Sequence, residues 1–93
     1  MPVFQGSGTY FEQTDAYDIP STVMSWYLAN NTGTDSEVSL NVYNVDTAET
    51  VCVWFKKIIG STTEFSSVPF ILLPGYKIII NATNTINYYI SIE

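Results

Sequence analysis

The sequence predicts an all-β domain, specifically a small antiparallel β-sandwich of about seven strands, jelly-roll or immunoglobulin-like in kind. Valine, isoleucine and threonine supply 29 of the 93 residues, against four leucines and four alanines. Branched side chains fit a pleated surface and crowd a helix. No apolar i, i+3, i+4, i+7 pattern persists over three turns, whereas alternation with period two recurs. Turn-forming clusters punctuate the chain about every ten residues, the spacing of sandwich strands.

The elements follow in order. Val3 to Gln13 carries Val3, Phe4, Tyr10 and Phe11 around Gly6-Ser7-Gly8, and residues 1–20 read either as an edge strand or as a projecting N-terminal arm. Thr14 to Ser21 is a loop broken by Asp15, Asp18 and Pro20. Thr22 to Asn30 alternates as a strand, with Met24, Trp26 and Leu28 on one face. Asn30 to Asp35 reads as a hairpin turn. Glu37 to Val45 places Val38, Leu40 and Val42 on one face, with Ser39, Asn41 and Tyr43 on the other. Asp46 to Glu49 is a turn, and Val51 to Ile59 is apolar enough to predict a strand covered on both faces. Gly60 to Thr63 turns the chain again. Ser66 to Leu73 and Tyr76 to Ala82 flank Pro74-Gly75, which suits a tight turn with glycine at positive φ. Asn84-Thr85 is the last expected turn, before Ile86, Tyr88, Ile90 and Ile92 alternate. One domain spans residues 1–93, since this length leaves no room for a second core.

Composition narrows the function. Three lysines, no arginine and nine acids give a net charge of −6. That is a poor surface for tracking phosphates, so nucleic acid is not an expected partner. The absence of histidine removes the commonest general base, and a single cysteine leaves no soft metal-ligand set. Neither enzyme chemistry nor a cofactor is expected. The start of the chain has neither the basic nor the apolar region of a secretory signal, and no apolar stretch is long enough for a membrane span. No membrane partner is expected, and the chain reads as made in the cytoplasm.

Individual residues divide between bland and sharp readings. Asp15 with Asp18, and Asp35 with Glu37, have the hard oxygens a calcium ion takes, but two acids in a loop are ordinary. Cys52, flanked by Val51, Val53 and Trp54, reads as a small core hydrophobe. Aromatic residues make up 15% of the chain, more than a small core requires. Tyrosine and tryptophan suit interfaces because the ring is apolar and its tip polar. Phe4, Tyr10 and Phe11 on the opening segment, with Tyr43 and Tyr89 on strand faces, are therefore the candidate protein-interface residues. Trp26 or Trp54 would serve a carbohydrate-binding module instead.

The runs SWYLANNTGTDSEVSLNVYNV (Ser25 to Val45) and FILLPGYKIIINATNTINYYISI (Phe70 to Ile92) resemble small all-β virion structural proteins of tailed bacteriophages. The matching features are a turn carrying Asn31, Gly33 and Asp35 after a first long strand, then Leu72, Pro74 and Gly75 before the closing strands. The opening VFQGSGTYFEQTD is also similar to their N-termini. The resemblance implies a capsid decoration or cement protein, with a neck or tail adaptor or fibre-base component as the alternative. It further implies a homo-oligomer such as a trimer, the major capsid protein or other virion proteins as partners, and the virion as location, assembled in the host cytoplasm.

Overall fold

The computed structural model describes residues 3–93 and is all-β. Its strands are β1 (Val3–Glu12), β2 (Ser21–Asn30), β3 (Ser36–Asn44), β4 (Glu49–Ile58), β5 (Thr62–Ser66), β6 (Phe70–Leu72) and β7 (Tyr76–Ile92). All seven belong to one antiparallel sheet in the order β4-β3-β7-β2-β5, with β1 also on β7 and β6 also on β2.

β7 makes this sheet a sandwich. Seventeen residues of straight strand would span about 56 Å, yet the longest dimension of the molecule is 40 Å. β7 therefore bends. Its first part, Tyr76 to Ala82, pairs with β3, and its last part, Asn87 to Ile92, pairs with β2. The first half lies in one layer with β3 and β4, and the second half in the other with β2, β5 and β6. Alternation holds through the bend: Ile78, Ile80, Ile86, Ile90 and Ile92 are all buried. They meet Trp26 and Leu28 of one layer and Val38, Leu40 and Ile58 of the other in a single core.

β1 follows β7 along its free edge and turns the same corner by a shorter route. Gly8 pairs with Ile86 and Tyr10 with Asn81, so three extra β7 residues are absorbed there. Gly8 has φ 146°, a conformation that a side chain disfavours. This odd offset flips the parity of β1, so that both Phe4 and Phe11 face inward although they are seven positions apart. The opening segment is thus an edge strand on its own domain, with residues 13–20 as loop.

The structure corrects several expectations. Asn30 to Asp35 is not a hairpin turn, because β7 lies between β2 and β3. It is an arch from one layer to the other, shaped by the buried Asn30 side chain. Pro74-Gly75 is a tight turn with Gly75 at φ 82°, but β6 pairs with β2 and not with β7. It too crosses between layers. Asn84-Thr85 is not a turn. The strand runs through it unbroken: the Asn84 backbone N–H donates to Ser36 Oγ at 3.1 Å, and its side-chain amide donates to Thr32 Oγ1 at 3.2 Å. Those bonds tie the bend to the arch. The expected strand from Ser66 to Leu73 is split, with β5 starting earlier at Thr62.

β4 is the largest correction. Among the described residues it pairs with β3 alone, and it is an edge strand with most of its side chains exposed, not a strand covered on both faces. Leu40 pairs with Trp54 and Asn41 with Cys52, leaving Val53 as an extra residue opposite no partner. This bulge brings both Val51 and Trp54 onto the inner face and turns Cys52 outward. Cys52 is exposed, so it is no core residue.

Candidate functional site

The five residues singled out as interface candidates fall in three places. Phe4 and Phe11 meet at a tilt inside the edge of the sandwich, their ring centroids 5.4 Å apart, and the Phe11 ring centroid lies 4.8 Å from that of Tyr88. Their rings are partly buried against the core and hold β1 in place. Tyr10 and Tyr43 stand on the outer face of the β3 layer around Lys77. The Lys77 ammonium pairs with Glu12 and lies 5.7 Å from the Tyr43 ring centroid. The Tyr10 hydroxyl donates to the same carboxylate. Tyr89 lies on the outer face of the other layer.

The Lys77 and Tyr10 hydrogen bonds hold the Glu12 carboxyl below its usual range. The same bond to Glu12 holds the Tyr10 phenol above its own. A depressed folded-state value means that Glu12 stabilises the fold above its unfolded value near 4.5. That contribution disappears as pH falls through the lower folded value. Glu12→Gln is thus expected to be less stable than the parent chain at pH 7, with the gap closing below pH 4.5. Urea denaturation at pH 7 and at acid pH tests this, and an unchanged gap would remove Glu12 from the account.

Tyr89 does not stand alone. Across three neighbouring strands Phe65 pairs with Tyr27, and Tyr27 with Tyr89. Tyr27 is 5.8 Å from Phe65 and 6.1 Å from Tyr89, centroid to centroid. The three rings are 65%, 45% and 40% exposed in that order. The same face carries Gln5, Ser25, Asn87 and Ser91, so the row is framed by uncharged polar groups. Tyr27 and Phe65 were not singled out from sequence. The signal for Tyr27 was its position opposite in parity to Trp26 and Leu28.

A second surface opens where the sandwich fails to close. β4 at one end of the strand order and β5–β6 at the other do not form a ladder, and a groove of about 440 Å3 lies between them. Trp26, Leu40 and Trp54 form its floor, Val53 one bank, and Val68 and Ile71 the other. A smaller cavity of about 140 Å3 continues past Val51, Ile71 and Leu73. The Lys56–Glu64 ion pair bridges β4 and β5. Beyond Leu73 the chain enters Pro74-Gly75, which with Asp15, Asp18 and Asp46 lines a polar cleft.

The two tryptophans are consequently not a free platform. Trp26 is only 5% exposed and meets Trp54 edge-on at 4.8 Å. Among the described residues no three histidine, cysteine or acidic side chains converge as a metal site. No family model, curated protein or solved structure matches the chain.

Proposed function

We propose that this domain is a non-enzymatic virion structural protein of a tailed bacteriophage, acting as a capsid decoration or cement protein that bridges major capsid protein subunits. The particle assignment rests on the resemblance of the two long sequence runs. The observation that carries the binding role is the apolar surface: among the described residues, 14 large hydrophobic side chains are exposed. Several gather into the aromatic row and the groove rather than scattering singly, and gathered patches of this kind mark interaction sites. The aromatic row would serve contacts within a homo-oligomer such as a trimer. A protein that binds only the assembled lattice stabilises it by mass action.

Copy number per purified particle tests this, measured by quantitative mass spectrometry against the major capsid protein. Hundreds of copies are expected. A dozen or fewer would favour a neck or tail adaptor or fibre-base component, and absence from particles would overturn the virion reading.

A carbohydrate-binding module is the second reading, now on different residues from the tryptophans. The uncharged row Phe65, Tyr27 and Tyr89 favours it, since rings framed by amides and hydroxyls suit a polyol. Glycan-array binding lost on Tyr27→Ala would support that reading over the first.

A further inference from the structure

We propose that the groove between β4 and β5–β6 receives an extended segment of a different protein, apolar at alternate positions and ending in lysine or arginine. The inference goes beyond the particle assignment and does not depend on it.

The backbone supplies the first argument. β4 pairs only with β3, while β5 and β6 pair only with β2, among the described residues. Two strand edges therefore flank the groove, and an added strand would close the sheet on itself. Adding a strand to a free edge is an established mode of peptide recognition. Side chains supply the second. The banks expose Val51, Val53, Val68, Ile71 and Leu73 at 43–75% over a floor of buried or half-buried rings. An extended strand presents every second side chain to one face, so the occupant needs apolar residues only at alternate positions. The track from Glu49 to Trp54 on β4 matches about six extended residues, or roughly 20 Å.

Charge selects the occupant. Lys56 and Glu64 clasp β4 to β5 near one end of the groove. Toward the other end lie Asp15, Asp18 and Asp46 in the adjoining cleft, with Glu49 the next inner-face position after Val51 on β4. Among the described residues no ion pair reaches these four carboxylates. All three lysines of the chain are engaged elsewhere: Lys56 with Glu64, Lys57 with Asp35 and Lys77 with Glu12. A cationic end on the occupant would be attracted there. A second copy of this chain carries a net charge of −6 and only three lysines, each already beside an acidic side chain of its own fold. The fitting partner is therefore a different protein with an apolar, basic-ended strand.

The probe is a synthetic peptide of alternating valine and threonine ending in two lysines, compared with the same peptide ending in two glutamates. Binding is read from the fluorescence of Trp26 and Trp54, which floor the groove. Saturable binding of the lysine peptide is expected, at least ten-fold tighter than the glutamate peptide and weakened by added salt. Val68→Lys, at a position 75% exposed, should abolish it while leaving the thermal midpoint unchanged. Ile71→Lys is the second variant, should the first unfold. No saturable binding, equal affinity for both peptides, or binding that survives both variants would overturn the proposal. So would self-association of the parent chain in sedimentation experiments that Val68→Lys abolishes, because the occupant would then be a second copy.

Discussion

Trp26→Ala is expected to cost the domain about 3–5 kcal/mol, the range for removing a large buried aromatic ring. At about 4–8 °C per kcal/mol for a domain of this size, the thermal midpoint should fall by at least about 12 °C. The effect is large because Trp26 serves two roles. It fills volume in the core that it shares with Leu28 and Leu40, and it meets Trp54 from the opposite layer. The groove lies directly above this pair, so no packed layer stands ready to collapse into the space. Trp54→Ala should cost less, since Trp54 is only partly buried. Thermal and urea denaturation of both variants test the order. A Trp26→Ala loss below 1 kcal/mol would mean that the layers do not depend on this contact.

Asn30→Ala is expected to cost about 2–4 kcal/mol, because it strips the partner from the buried Ile58 carbonyl and from part-buried backbone groups of the arch as well as removing its own bonds. Asn30 is fully buried. Its amide donates to the Thr34 carbonyl at 2.7 Å and to the Ile58 carbonyl at 3.0 Å. Its carbonyl accepts from the Thr32 N–H at 3.0 Å and the Thr32 hydroxyl at 2.7 Å. One side chain thus shapes the arch and ties it to the end of β4. Asn30→Asp keeps the size and the acceptor but removes both donations and places a buried charge beside two carbonyls. It should be at least as damaging as alanine at neutral pH. If Asn30→Asp were as stable as the parent chain, the bonds to Thr34 and Ile58 would contribute nothing to the fold.

The all-β class was legible because β-branched residues and alternation act locally, residue by residue. The even positions of Tyr76 to Ile92 turn inward without interruption, and that unbroken parity was the available signal that Asn84-Thr85 does not turn the chain. The polar pair masked it. Turn chemistry was also legible where backbone geometry demands a residue, as at Gly75. What a turn connects was not, because Asn30 to Asp35 suits an arch as well as a hairpin, and only the placement of β7 between β2 and β3 decides. β4 misled for a related reason. Its apolar run fits a strand covered on both faces, and the bulge at Val53 and the missing neighbour arise from topology. The aromatic row needed cross-strand register to bring Phe65, Tyr27 and Tyr89 together. The groove needed the knowledge of which two strands end the sheet.

The bend in β7 bears on how the chain acquires its structure. The strand that joins both layers is the last in sequence, and it pairs with β1, β2 and β3. Neither layer has its central strand until β7 arrives, so no half of the domain is a self-sufficient intermediate. Pairings between distant parts of a chain must overcome loop-closure entropy before they are rewarded, which slows folding. A millisecond-to-second refolding phase is expected, with both layers appearing together. During synthesis the earlier strands would therefore keep their apolar faces open until β7 has emerged from the ribosome and can pair with them.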